Sequence, residues 1–418
     1  MDKKFKLITA DRFIDGAGKS AVNKTAVLLE NDVIRAVGPA SELKAPEGAS
    51  VEHRDYKDAT LLPGLVDCHV HMNGIGDGRS GDELAKLPDE ILTLQSARNA
   101  RAHLYNGVTT LRDCGGKNRT TFHLREAVNM GITVAPRLVI AGRPVAIVGG
   151  HLNWFGVAAT GKDECVAAVR QLVKEGADFI KITATGGSTR SSIPARPSFN
   201  LDELKAIIEE AHKFGRHTVA HCASSQGMVN VLEAGVDTIV HAIHQDPDGK
   251  FNYRPDITER IVRQGVFVNP TLSIVGKSKM NLESRVDAGT ATPRELEQLE
   301  GLRISYEAMV DGFQQMRKDG VTMVCGSDTA WLDSPMGGFQ QELEAQVEAG
   351  MTPMESIISA TRDSSRSLWM EDTIGTLEIG KKADLLVVKG DPSKNIEDMW
   401  QVDEVFLGGR RVDRDNFV

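Results

Sequence analysis

The stretch Thr60-Leu61-Leu62-Pro63-Gly64-Leu65-Val66-Asp67-Cys68-His69-Val70-His71 (60–71) carries the most information about the fold. Its apolar run is typical of a buried β-strand, and two histidines stand two positions apart at its end. Alternate residues of a strand point to the same face, so His69 and His71 project side by side. Two imidazoles at that spacing can bind one metal ion. Two surface histidines at a strand end would give the same pattern, so this motif alone leaves both interpretations open.

Four later apolar runs also carry a residue suited to a metal site. These residues are Lys181 in 178–184, His221 in 217–222, His241 in 237–242 and Asp328 in 321–328. A charged lysine is costly to bury, so its segment alone favours a Lys181 that extends its ammonium to the strand end. For Asp328 the alternative is an N-cap for the residues that follow. The arrangement of all these residues along the chain favours one shared metal site.

The middle of the chain alternates short apolar runs with helical patterns. Eight strands are predicted, near 60–70, 107–114, 136–142, 178–184, 217–222, 238–242, 266–271 and 321–327. Capping signals mark helix starts at Asn200, Thr292 and Thr352, the last two followed by proline. Eight β/α units predict an α/β fold of the (β/α)8 TIM-like barrel type, in which chemistry is carried on the C-terminal face of the strands. The predicted ligands would all lie on that face.

Both ends of the chain have a sequence pattern that differs from that of the middle. Residues 1–60 and 374–418 read as short strands separated by turns, with Asn31-Asp32 as a hairpin signal. The two ends are therefore predicted to form one small β-sandwich domain, and residues 61–373 the barrel. Long loops at 72–88, 143–160 and 186–200 are candidates for a lid that faces the substrate.

Composition narrows the class of partner. The chain has 418 residues and a net charge of −9 without a basic stretch, which argues against a nucleic-acid partner. It contains no run long enough to span a membrane and no visible signal peptide, so no membrane partner is expected. The five cysteines, an odd number, favour free thiols in a reducing compartment, and a cytoplasmic location is expected.

The order of these residues resembles the amidohydrolase superfamily, in which an H-x-H motif, a lysine, two histidines and an aspartate follow successive strands. The resemblance extends over essentially the whole chain. It is strongest to the imidazolonepropionase-related and metal-dependent dipeptidase group, which includes prolidase-like and Xaa-Arg carboxypeptidase-like enzymes. The residues that carry it are Gly149-Gly150-His151, Lys181 followed by Thr185-Gly186-Gly187, and Gly326-Ser327-Asp328.

The resemblance implies a site with two divalent metal ions, with zinc expected. His69, His71 and Asp328 would bind one ion, and His221 and His241 the second. Lys181, N-carboxylated, would bridge the two, and a carbamate explains a lysine in a buried strand. The alternative for Lys181 is an unmodified side chain paired with a carboxylate.

These residues predict a binuclear metal-dependent hydrolase of an amide bond, acting on a small molecule such as a dipeptide or N-acyl amino acid. A metal-bridging hydroxide would attack, and Asp328 would act as general base and then as general acid. Alternatives are hydrolysis of a cyclic, imidazolone-like amide or of a xenobiotic amide or carbamate, and a non-catalytic metal-binding scaffold. The best-known dipeptidases carry His-Gly in the loop after the aspartate, whereas residues 329–338 here do not, which puts a dipeptide substrate in doubt. A homo-oligomer is expected.

Two further residues are candidates for contact with the substrate. His151 follows two glycines and could donate a hydrogen bond to the substrate carbonyl or oxyanion, or it could be a loop residue without a task. Arg190 could pair with a substrate carboxylate or be a solvated loop residue. Trp154 and Phe155 could form an apolar wall or pack within a lid. The remaining six histidines, His103 among them, are assigned to the surface or to packing.

Overall fold

The computed structural model describes residues 4–414, so the outermost positions of the predicted terminal domain lie outside the described residues. The strands are β1 (Phe5–Phe13), β2 (Val22–Asn23), β3 (Thr25–Glu30), β4 (Val33–Pro39), β5 (Val51–Pro63), β6 (Leu65–Val70), β7 (Val108–Asp113), β8 (Arg137–Ile140), β9 (Val145–Ala146), β10 (Val157–Ala158), β11 (Ile180–Thr183), β12 (Thr218–His221), β13 (Thr238–Val240), β14 (Phe267–Asn269), β15 (Leu385–Lys389), β16 (Val402–Leu407) and β17 (Arg410–Arg411).

The helices alternate with the middle strands. They are α1 (Gly81–Leu84), α2 (Asp89–Tyr105), α3 (Thr120–Asn129), α4 (Gly161–Glu175), α5 (Leu201–Lys213), α6 (Ser225–Ala234), α7 (Pro255–Gln264), α8 (Leu272–Asp287), α9 (Pro293–Lys318), α10 (Gln340–Glu348), α11 (Pro353–Ile358) and α12 (Ser364–Ser367), with a π-helical turn at Ser359–Asp363 and a 3₁₀ helix at Ile396–Trp400. The predicted caps are confirmed, because the side chains of Asn200, Thr292 and Thr352 each accept from the backbone N–H three residues later.

The middle strands form two parallel sheets. One has the order β6-β7-β8 and the other the order β10-β9-β11-β12-β13-β14. The α/β class is therefore confirmed, and seven of the eight predicted strands are present in shortened form. The short pair β9 and β10, which lies in the loop expected at 143–160, was not predicted.

The eighth predicted strand is the exception. Residues 321–327 form no regular strand but make isolated parallel bridges, Met323 to Val268 in β14 and Thr329 to Val70 in β6. The backbone N–H of Val324 donates to Val268 O at 2.9 Å, and that of Cys68 to Cys325 O at 3.0 Å. This segment therefore lies between the last strand of one sheet and the first of the other. Strand pairing among residues 4–414 is not continuous enough to assign one closed sheet.

Gly64 separates two strands within the stretch predicted as one. β5 ends at Pro63 and pairs with β1 and β15, whereas β6 begins at Leu65 and pairs with β7. A Cβ atom at Gly64 would lie 2.2 Å from the Thr109 side chain, so only glycine allows this close approach. The break passes the chain from the terminal sheet into the parallel strands.

Strands from both ends of the chain share one mixed sheet, in the order β17-β16-β15-β5-β1-β3-β4 with β2 beside β1. Both ends of the chain thus contribute strands to one sheet, and Asn31 adopts a left-handed conformation in the turn between β3 and β4. The strands belong to a single sheet, so the two-sheet sandwich stays a prediction. One apolar cluster, which includes Leu62, Val108, Phe339 and Leu386, packs this sheet against the parallel strands.

All five cysteines are buried and free. In the part of the chain that is described, no helix combines the length and apolar character needed to cross a bilayer.

Candidate functional site

The six predicted metal-site residues line one cavity of about 410 Å³. They come from the carboxyl ends of β6, β11, β12 and β13 and from the segment that follows β14. His69, His71, Lys181 and His221 are buried, and the side chains of His241 and Asp328 are 11% and 14% exposed. The strand-end rule that motivated the prediction thus brings together residues that are up to 259 positions apart in the sequence, from His69 to Asp328.

Asp328 lies at the centre of the cluster. Its Oδ1 atom is 3.4 Å from His69 Nε2 and 3.5 Å from His71 Nε2, and its Oδ2 atom is 4.0 Å from His241 Nε2. One donor atom each from His69, His71 and Asp328 lie within 4.8 Å of one another, a spacing that fits one metal ion. The ring of His221 is 4.6 Å from that of His241, centroid to centroid.

Hydrogen bonds on the far side of each ring orient the histidines. His71 Nδ1 lies 2.9 Å from Gly115 O, a carbonyl that can only accept, so the proton is on Nδ1. His69 Nδ1 lies 3.1 Å from Asn269 Oδ1, and His241 Nδ1 lies 2.7 Å from Thr271 Oγ1. The lone pairs of these three rings are therefore on the Nε2 atoms that face Asp328, as metal-ligating histidines require, and that of His69 also faces Lys181 Nζ.

His221 uses the opposite ring nitrogen. Its Nε2–H donates to Gly186 O at 2.9 Å, which leaves the Nδ1 lone pair available. All four rings also remain uncharged: burial, reinforced by the Lys181 ammonium, lowers the pKa of His71 and His221 to about 3. Burial likewise holds the pKa of His69 and His241 well below the usual value. A neutral imidazole is the form that binds metal.

The two ionisable groups of the cluster that are not histidines, Asp328 and Lys181, are both in surroundings that disfavour a charge. Burial raises the pKa of Asp328 to about 7, because a carboxylate is costly to remove from water. Lys181 Nζ lies 3.2 Å from His69 Nε2, and among residues 4–414 no carboxylate oxygen lies within the 4.0 Å of an ion pair. The alternative of a Lys181 paired with a carboxylate therefore finds no partner in the described part of the chain.

Sequence reasoning missed a buried network behind the cluster. Asp67 Oδ1 accepts from the backbone N–H groups of His69 and Ser327, each at 3.1 Å. Asp67 Oδ2 accepts from Ser327 Oγ at 2.6 Å and from His103 Nε2 at 3.0 Å, and the backbone N–H of Gly337 donates to His103 Nδ1 at 2.7 Å. His103 is thus buried in a polar network, and packing alone does not describe it. The available signal was Asp67 itself, a carboxylate in an apolar strand.

His151 lies in the cavity with its ring 4.5 Å from that of His221, and Gly187 makes room for it, since a Cβ there would come within 2.7 Å of the ring. Thr189 Oγ1 accepts from Leu152 N–H at 3.1 Å and lies 3.0 Å from His151 Nδ1. Among residues 4–414 the proton of the Thr189 hydroxyl has no other acceptor, so the hydroxyl is placed to donate to Nδ1, which leaves the proton of His151 on Nε2. Sequence reasoning did not single out Thr189.

The other loop candidates differ in whether they line the cavity. Trp154 lines the cavity and packs edge-on to Trp331, with ring centroids 5.6 Å apart. Phe155 is buried behind Trp154, at 4.4 Å, and packs within the loop. Arg190 is exposed and is not among the residues that line the cavity. All three predicted lid loops reach the cavity, for example through Gly78, Leu152 and Pro194.

Comparison with known proteins agrees with the sequence resemblance. The profile of the amidohydrolase family matches residues 60–412. Ochratoxinase of Aspergillus niger is 27% identical over 443 aligned positions, which cover 98% of this chain and 87% of that protein. Imidazolonepropionase of Rhizobium rhizogenes is 23% identical over 89% of this chain and 88% of its own.

Among solved structures, a Xaa-Pro dipeptidase with methionine bound in its active site superimposes with a TM-score of 0.84 at 27% identity, covering 98% of this chain and all of that one. The family match spans most of the chain and includes every residue of the cluster. This chain therefore belongs to the amidohydrolase family and is a hydrolase that acts on carbon–nitrogen bonds.

Proposed function

We propose that this protein is a binuclear metal-dependent hydrolase of amide bonds in small molecules. The observation that carries the proposal is the convergence of three Nε2 lone pairs, from His69, His71 and His241, on Asp328. A non-catalytic metal-binding scaffold would also need these ligands, but it needs no cavity beside them. The cavity of about 410 Å³ that the ligands line therefore favours an enzyme over a scaffold.

The proposal includes the finer architecture. The two parallel sheets, together with the segment 321–329 that bridges β14 and β6, would form the (β/α)8 barrel of residues 61–373. The strands of 1–60 and 374–418 would form a separate β-sandwich domain. Support for the barrel comes from the order of the parallel strands, and the dipeptidase, which matches over 98% of the chain, supports one architecture over that length.

The residues present fit two divalent ions. His69, His71 and Asp328 would hold one, His221 and His241 the other, and an N-carboxylated Lys181 would bridge them. Neutral imidazoles and carboxylates suit zinc. The fit rests on the donor chemistry and on Lys181, whose buried ammonium has no carboxylate within ion-pair distance among the described residues, a position that a carbamate would relieve. When bound, the ions would polarise the amide carbonyl and make a water molecule more acidic.

Asp328 would move the proton. Its carboxylate would take a proton from the attacking water as the C–O bond forms, and would give it to the nitrogen as the C–N bond breaks. In the metal-free protein burial raises the pKa of this carboxyl to about 7, so the site does not oppose a proton on Asp328. Its place between three imidazoles directs both transfers into the cavity.

His151 would stabilise the carbonyl oxygen. With Nδ1 engaged by Thr189, its Nε2–H is the free donor, and burial keeps its pKa well below the usual value so that the ring stays neutral. A neutral donor buried in the cavity lining is suited to a developing oxyanion. Thr189 would then be a positioning residue that selects the tautomer of His151.

The substrate would be an amide with little charge. A dipeptide or N-acyl amino acid brings a free carboxylate, and Arg190, the residue expected to pair with it, is exposed and outside the cavity lining. The lining instead favours the alternative of a xenobiotic amide or carbamate. The proposed roles of the cluster residues are the same for either class of substrate.

Metal analysis tests the proposal. We expect close to two divalent ions per purified chain, and His69→Ala should lose at least one ion together with hydrolysis of a panel of amides. His123→Ala is the matched control, because His123 is exposed on α3, and it should keep both. Full metal content and full activity in His69→Ala would refute the site.

A further inference from the structure

The cavity that the histidine cluster lines also has a set of apolar lining residues. Ile243 follows β13, Ile274 lies on α8, Met309 lies on α9, and Trp331 and Leu332 follow Asp328. A cavity of about 410 Å³ has the size of a small-molecule site. Burial of apolar ligand groups against these side chains is favourable, whereas a charged group buried there would gain no compensating interaction.

The charged residues on the lining outside the cluster are Arg79 and Asp82, which have opposite signs. Arg79 is already paired, since its Nε and terminal nitrogen each lie 2.8 Å from one carboxylate oxygen of Asp77. Apart from Lys181, no other lysine or arginine of the described chain lines the cavity. Outside the metal cluster, a substrate carboxylate would therefore meet no uncommitted side-chain cation.

Several neutral donors of the lining are engaged as well. The hydroxyl of Ser80 donates to a glutamate carboxylate 3.0 Å away, and that of Thr271 to a backbone carbonyl 2.7 Å away. Thr189 is paired with His151 at 3.0 Å. These hydroxyls are thus committed to holding the site together and would have to give up a partner to bind an anion.

From this distribution we infer that the substrate is a neutral amide or carbamate with apolar groups on both sides of the scissile bond. The inference rests on the amide hydrolysis proposed above and narrows it. A carboxylate beside the scissile nitrogen would lose part of its hydration against the apolar lining without gaining a side-chain counter-ion, which is costly.

Two compounds that differ only in that carboxylate test the inference: N-benzoyl-L-phenylalanine and N-benzoyl-2-phenylethylamine. Binding is measured by quenching of tryptophan fluorescence in metal-loaded Asp328→Asn protein, where turnover is suppressed, because Trp154 and Trp331 line the cavity. Hydrolysis is measured as benzoate release by the wild type. We expect the neutral compound to bind at least about tenfold more tightly and to have at least about tenfold higher kcat/KM. Equal affinities, or tighter binding of the carboxylate, would overturn the inference.

Arg79→Gln tests the rival explanation. If Arg79 anchors no carboxylate, the ratio of the two affinities should stay within about twofold of its starting value, as it should in the control Arg190→Gln. A tenfold loss of affinity for the carboxylate compound in Arg79→Gln alone would overturn the inference. If the neutral compound binds more tightly but neither compound is hydrolysed, the preference of the cavity stands and the proposed amide hydrolysis fails.

Discussion

Asp67→Asn is the perturbation that most directly tests how the site is held together. Asp67 is fully buried and accepts four hydrogen bonds, two on each carboxylate oxygen. Two of them come from the backbone N–H groups of His69 and Ser327. The His69 carbonyl in turn accepts from the N–H of Asp328 at 2.8 Å. Asp67 therefore fixes the backbone on which two proposed ligands are mounted.

An asparagine of the same shape cannot satisfy these four donors. If its NH2 group replaces Oδ1, it faces two backbone N–H groups that have no alternative acceptor. If it replaces Oδ2, the Ser327 hydroxyl can turn towards Thr329 Oγ1, 2.9 Å away. His103 cannot adapt, because a lone pair on its Nε2 would put a proton on Nδ1, against the N–H of Gly337. At least one buried donor is left unpaired in either orientation.

The expected cost follows from these bonds. One unpaired buried donor costs about 1–3 kcal/mol, and each remaining bond loses the strengthening that a charged acceptor gives, so the total loss is about 2–5 kcal/mol. An unfolding entropy of about 2.1 cal/mol/K per residue gives about 0.9 kcal/mol/K for 418 residues. The Tm of the Asp67→Asn variant should therefore fall by about 2–6 °C, measured by calorimetry at a fixed scan rate.

Asp163→Asn is the matched control, since Asp163 is exposed in the first turn of α4 and its loss should shift Tm by less than about 1 °C. Asp67→Asn should also retain less metal, because the backbones of His69 and Asp328 lose their common support. Equal Tm values for the two variants, with unchanged metal content, would show that the network has no structural role.

Four further predictions follow from the site. Lys181→Ala should lose activity and recover part of it when acetate or propionate is added to the rate assay, and a variant with no such rescue would argue against a carbamate bridge. Asp328→Asn should keep its circular dichroism spectrum and lower kcat by about 10²–10⁴, the scale of lost acid–base help, whereas a near-normal kcat would make Asp328 purely structural. His151→Ala should keep its metal and lose about 10²–10³ in kcat/KM. Thr189→Val should lose part of that factor, whereas Thr189→Ser should keep the wild-type kcat/KM. Equal rates for the valine and serine variants would refute control of the His151 tautomer by Thr189. In metal-free protein the pKa of His71 is about 3, against about 6.5 in the unfolded chain, so the unfolded state binds the proton first and the Tm should fall as pH drops below about 6.5. His71→Gln should flatten this dependence of Tm on pH. A wild-type Tm that stays constant from pH 7 to 4.5 would contradict the prediction.

The sequence alone was enough for the cluster and for the order of its parts. His69 and His71 share a face because side chains alternate along any strand. His221, His241 and Asp328 could be placed beside them because parallel strands in an alternating β/α chain all end at the same edge. These are local rules of backbone geometry, so they hold before any tertiary contact is known, and the helix caps were predictable for the same reason.

Other features depend on which distant segments meet, and only the tertiary structure decided them. Strand pairing converts the predicted last strand into the irregular bridge at 321–329, and the close approach of Thr109 breaks the predicted first strand at Gly64. The partnership of Asp67 with His103 joins residues 36 positions apart, and no local pattern announces it. Whether the cavity offers a cation to a substrate likewise depends on side chains from several loops and helices, because the free energy of burying a charge is set by everything that surrounds it.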